Sequence, residues 1–180
     1  MPLTHASPLA ALGDTSSGRA HTLLGRLEAL DMSMLVRKLA ESPEGPRWSV
    51  EHCEVVRIEY MRFLALTVAF PEAAIVPSTV VDEFWHQHIL DTKAYASDCQ
   101  EAFGFFLHHY PYFGMNGPDD ANRVRSAYVE TLEAYTDLFG APTKSVWGAP
   151  SAVGAAVSAA KCSTESECFG GGSEGGCNGR

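Results

Sequence analysis

The chain has 180 residues, 46% hydrophobic and 19% charged, a balance that describes a globular chain long enough for one real core. Thirteen Lys and Arg against 22 Asp and Glu leave a formal net charge of -9; this repels phosphate backbones and anionic lipid surfaces, and no basic patch overrides it. The longest largely apolar run, Phe63 to Phe70 with only Thr67 polar, covers eight residues, far below the roughly 20 that a bilayer span needs, so neither nucleic acid nor membrane is expected as a partner.

Residues 1–17 mix Pro, Gly, Ser and Thr without periodicity. Lacking the basic opening and sustained apolar stretch of a secretory signal, they read as a flexible leader on a cytoplasmic protein. From Ala20, the residues Leu23, Leu24, Leu27, Leu30, Met34, Leu35 and Leu39 recur at three and four positions, which predicts one amphipathic helix ending before Pro43. Gly45 and Pro46 break the chain. Ser49 can cap a second helix, with Glu51 in its first turn, running to about Phe70; its far end is apolar all round and therefore buried.

Thr79-Val80-Val81-Asp82 has the form of a capping box and opens a third predicted helix that reaches about Phe103. Gly117-Pro118-Asp119-Asp120 sets Pro at a first helical position and two acids where the helix dipole favours them, ahead of Val124, Tyr128, Leu132, Tyr135 and Leu138 at helical spacing. Nothing between Ala20 and Gly140 alternates with period two. The expected fold is all-α: a compact bundle of about four helices over residues 18–140, with a flexible N-terminal leader and a Gly/Cys-rich tail over 141–180. Gly148 to Arg180 holds eight of the sixteen glycines. Cys162, Cys168 and Cys177 fall in this tail at intervals of six and nine, unlike the C-x-x-C spacing of a zinc site; weak chelation, redox pairing and no role all stay open. Cys53 and Cys99 lie in amphipathic segments, where a thiol acts as a small hydrophobe, so a disulfide framework is not expected.

Chemistry concentrates between Phe84 and Phe113, which carry nine of the 18 aromatic residues and four of the seven histidines. Its centre is Trp85-His86-Gln87-His88. On a regular helix His86 and His88 point about 160° apart and cannot chelate one ion, whereas Asp82 and His86, four apart, share a face. Partners for His88 must come from elsewhere: His108 or His109 from the loop after Gly104, which Pro111 keeps extended, or His52, Cys53 and Glu54 at the start of the second helix. Two or three imidazoles with a carboxylate suit zinc or another divalent first-row ion. The bland readings stand beside these. Asp82 at the third helical position returns a hydrogen bond to its cap, His88 is a satisfied core histidine, and Cys99 is an inert mid-helix thiol.

The stretch V-D-E-F-W-H-Q-H-I-L-D-T-K-A-Y-A-S-D-C, followed by F-G-F-F-L-H-H, resembles the core motif of the glycine-rich domain-containing protein family, best represented in plants. The likeness spans about Arg57 to Gly114, and the Gly-rich tail agrees with it. Carried over, the motif residues are Asp82, Trp85, His86, His88, Tyr95, Asp98 and Cys99, with His108 as the later histidine. The resemblance implies links to development, stress responses and RNA binding. This chain departs from that family in being short, acidic and without an RNA-recognition pattern, so RNA binding is not carried over.

The functional expectation is a noncatalytic helical binding module, its His/aromatic cluster able to hold a divalent metal such as zinc, that engages another protein. The alternative is a metal-dependent enzyme with Asp82, His86, His88 and His108 around one ion, which requires a distorted helix. A third reading makes the helical part a carrier for a modified Cys/Gly-rich tail.

Overall fold

Seven helices follow one another in the structure, a computed structural model that describes residues 14–148 except Glu44: α1 (Asp14–Glu28), α2 (Ser33–Glu41), α3 (Val50–Ala69), α4 (Thr79–Leu90), α5 (Thr92–Phe103), α6 (Pro118–Phe139) and the single turn α7 (Lys144–Trp147). The all-α expectation holds, and no strand occurs among the described residues. None of the described helices is long and apolar enough to cross a membrane. The leader up to residue 13 and the tail from residue 149, with Cys162, Cys168 and Cys177, lie outside the described residues.

The centre of the bundle is α3. Ser49 caps it as expected, its Oγ accepting the His52 N–H at 3.2 Å. From Glu59 to Ala69 every residue but Arg62 is buried, in a helix against which α1, α2, α4, α6 and α7 all pack. A helix covered on every side needs no amphipathic stripe, which is why its sequence reads as a continuous apolar run.

Of the three helices beyond the four expected, α7 follows Gly140 and the other two arise from local breaks. The first predicted helix is interrupted at Ala29–Met32, where Asp31 Oδ1 accepts the Ser33 N–H at 3.0 Å and so restarts the helix at Ser33. The break lets Leu27, Leu30, Met32, Val36 and Leu39 all enter the core, while Met34, expected on the apolar stripe, is exposed. The third predicted helix is cut at Asp91. This residue ends α4, its N–H bonding the His88 carbonyl, and caps α5, its Oδ1 accepting the Ala94 N–H at 3.3 Å. The folded part also outruns residues 18–140 at both ends, since α1 begins at Asp14 and α7 docks after Gly140.

That last docking is held by Glu59, a carboxylate only 1% exposed. It accepts hydrogen bonds from Trp147 Nε1 at 2.7 Å, Thr143 Oγ1 at 2.7 Å and the Tyr135 hydroxyl, with Arg62 Nη1 at 3.4 Å. A buried acid in this fold is tolerated because four donors from three segments converge on it.

Candidate metal centre

Ser78, and not Thr79, caps α4: its Oγ accepts the Val81 N–H at 3.1 Å. The shift of one residue takes Asp82 out of the capping-box position and frees its carboxylate. Instead of returning to the cap, Asp82 faces His86, one turn along the same helix, and His109 from the loop after α5. His109 Nε2 lies 3.3 Å from Asp82 Oδ1 and 3.2 Å from His86 Nε2, and His86 Nε2 lies 3.7 Å from Asp82 Oδ2. The side chains of Asp82 and His109 are 9% and 10% exposed and that of His86 is 42% exposed, so the group opens to solvent on the His86 side.

The loop is brought to α4 by a relay through Trp85. The buried indole donates from Nε1 to the Tyr95 hydroxyl at 2.9 Å, and that hydroxyl donates to the Leu107 carbonyl at 2.6 Å. Burial pushes the Tyr95 phenol far above its ordinary pKa, so it stays protonated and able to donate. Two residues past the anchored Leu107, the His109 ring packs against the Trp85 indole, centroids 4.5 Å apart. The other end of the loop is tied by Asp120, whose Oδ2 accepts the N–H groups of Gly114 at 2.7 Å and Asn116 at 3.2 Å.

His88 faces the opposite way and is finished. Its Nδ1 is 3.0 Å from the Tyr60 hydroxyl and its Nε2 is 3.0 Å from Asp98 Oδ2. Burial, ahead of the opposing pull of Asp98, lowers the pKa of this imidazole, while burial raises that of Tyr60. The consistent assignment is a neutral ring that donates from Nε2 to Asp98 and accepts from the Tyr60 O–H. Asp98 reaches it because the break at Asp91 redirects the chain so that α5 packs against α4. Cys99, also buried, has its thiol pKa pushed up by desolvation and is an unreactive core group.

Of the four residues expected as ligands, the structure therefore brings together Asp82 and His86. His88 belongs to the buried Tyr60–Asp98 pair, and His108 is turned outward with its ring against Phe106, centroids 4.9 Å apart. The third member of the group is His109. Its placement follows the alternation along the loop, in which Leu107 is buried and His109 part-buried while Phe106, His108 and Tyr110 are exposed. Leu107 is the apolar member and turns inward, so His109 turns inward with it, a signal present in the sequence.

Proton bookkeeping shows what the group is suited to. A neutral imidazole Nε2 carries either a proton or a lone pair. If His109 carries the proton, it must be shared between the His86 nitrogen and the Asp82 oxygen; if His86 carries it, His109 accepts and is left lone pair to lone pair against Asp82. A cation satisfies all three atoms at once. Zinc–nitrogen bonds of about 2.0–2.1 Å at tetrahedral angles separate neighbouring ligand atoms by about 3.3 Å, close to the spacings seen here. Beside the group runs an open cleft of about 530 Å³, with His86 and His109 in its lining together with Ile89, Leu90, Phe106 and Pro111.

No curated protein and no solved structure matches the chain. A family model described as UCP032817-like matches residues 26–132, more than half of the chain, and this segment contains α2 to α5 and all three members of the Asp82–His86–His109 group. The chain belongs to the UCP032817-like family.

Proposed function

We propose that this protein is a noncatalytic helical binding module built around a divalent metal, zinc or a similar first-row ion, held by Asp82, His86 and His109. The observation that carries the reading is the convergence of two imidazole nitrogens and a carboxylate at ligand-to-ligand distances, with too few protons to complete the contacts among themselves. Three protein ligands leave a coordination position open, and the cleft lies beside it.

The W-H-x-H…Y…D-C pattern, through which the chain resembles glycine-rich domain-containing proteins, acquires a physical meaning under this proposal. Trp85 and Tyr95 clamp the loop that delivers His109, His88 and Asp98 complete a buried polar pair, and His86 joins the metal. The exposed Phe106, Tyr110, Tyr112 and Met115 support a protein partner at the 106–115 loop. The free, buried thiols of Cys53 and Cys99 support a reducing, cytoplasmic setting.

Metal analysis of the purified full chain after zinc loading and dialysis tests the reading. One equivalent is expected in the wild type, His88→Ala and His108→Ala proteins, and little in His86→Ala and His109→Ala. Equal zinc content in all five proteins, or none in the wild type, refutes it.

A further inference from the structure

The cleft beside the metal group has a composition that selects among ligands. Its volume of about 530 Å³ falls within the range of small-molecule sites. Away from His86 and His109 its walls are mainly apolar: Ile89, Leu90, Phe106, Leu107, Pro111 and the ring of Tyr95, whose hydroxyl is already engaged by Trp85 and Leu107, with His108 the remaining imidazole. Leu90 is 67% exposed and Phe106 44% exposed, so apolar surface stands open to water next to the coordinating atoms. Covering such surface with a ligand's hydrocarbon is favourable in proportion to the area removed from water.

Charge narrows the class further. A divalent ion, one carboxylate and two neutral imidazoles sum to a single positive charge, which one monoanion neutralises. No Lys or Arg lines the cleft among the described residues to receive a second negative charge. Phosphate monoesters and dicarboxylates are therefore poorly matched, and a carboxylate carried on an apolar body is matched at both ends.

Resting on the metal reading above, we propose that the cleft seats small apolar monocarboxylates, the carboxylate on the ion held by Asp82, His86 and His109 and the hydrocarbon against Leu90 and Phe106. The test uses the full chain loaded with cobalt(II), whose visible spectrum reports any change of ligand on the metal, titrated with acetate, butyrate, octanoate and inorganic phosphate. Octanoate is expected to shift the spectrum and to bind at least about tenfold more tightly than butyrate, with phosphate no better than acetate. Leu90→Ser and Phe106→Ala, neither of them at a metal ligand, are each expected to weaken octanoate roughly three- to tenfold while leaving cobalt content and acetate affinity unchanged.

Equal affinities for acetate and octanoate on cobalt-loaded protein overturn the proposal and leave the metal reading standing. So does octanoate binding that both variants preserve, or that the metal-free protein matches. Failure of the wild type to take up cobalt before any carboxylate is added refutes the metal reading itself, and the ligand proposal falls with it.

Discussion

On one face of α4, His88 is 3% exposed and has both ring nitrogens engaged, by Tyr60 and by Asp98. On the other, His86 stands two residues earlier with its side chain 42% exposed, sharing a single point with His109 and Asp82. Both are histidines of one motif on one helix, yet the first has a partner for every donor and acceptor and the second has more lone pairs than protons. Deep burial forces the first outcome, because an unpaired polar group there costs the desolvation of that group. Near the surface the constraint relaxes, and an incomplete arrangement can be kept for an ion. Completeness of hydrogen bonding, more than the identity of the residue, separates the structural histidine from the candidate ligand.

The largest expected effect breaks this comparison if it fails. His88→Ala removes the acceptor for the Tyr60 O–H and the donor to Asp98 inside the core, and it should cost about 3 kcal/mol in urea unfolding of metal-free protein. His86→Ala under the same conditions should stay within about 0.5 kcal/mol, since it deletes a part-exposed ring without stranding a buried group. Similar losses from the two substitutions contradict the distinction between the faces.

Tyr95→Phe sharpens the comparison by acting on the relay that links the two faces. The change keeps the ring but leaves Trp85 Nε1 without its acceptor and the Leu107 carbonyl without its donor. About 2 kcal/mol of stability should be lost. Because the anchored loop positions His109, zinc affinity should also fall by roughly 10- to 100-fold, as when the support of a metal-ligating histidine is removed. A competition titration against a chromophoric chelator measures the second effect; unchanged affinity would show that the relay holds the core and not the loop.

Much of the fold was legible, and the reasons for the exceptions are local. The continuous apolar run of α3 with its Ser49 cap, and the periodicity of α6 with Pro118 at its first position, are strong signals, since they state both what is buried and where each helix starts. The breaks at Asp31 and Asp91 escaped because apolar spacing runs straight through them; one short acidic side chain bonding the backbone two or three residues on is enough to end a turn. Asp91-Thr92 reads afterwards as a cap, although the stripe from Trp85 to Phe103 reads as one helix. In the site, Asp82 and His86 were visible from helical spacing, while His109 depended on the alternation of an extended loop and Tyr60 and Asp98 on tertiary contact. Glu59 carried no local signal, because nothing near it in sequence announces Thr143, Tyr135 or Trp147 as donors.

The smallest expected effect concerns the far tie of the His109 loop. The Asp120 carboxyl is held below its usual pKa first by the Asn116 backbone N–H, with burial opposing and the Gly114 N–H and the Arg123 guanidinium adding to the pull. A group whose pKa is lower in the folded than in the unfolded chain stabilises the fold once it is ionised in both, so its contribution is complete above the unfolded value near about 4 and disappears as the pH falls through the folded value. Asp120→Ala should therefore lower the unfolding midpoint by a constant amount at neutral and mildly acid pH. Below about pH 4 the difference should begin to shrink, vanishing only once the pH is under the folded value. A difference of the same size at pH 3 and pH 7 would mean that Asp120 supports the loop through its shape and not through its charge. The loop would then be anchored electrostatically at neither end, only by the neutral Tyr95 relay.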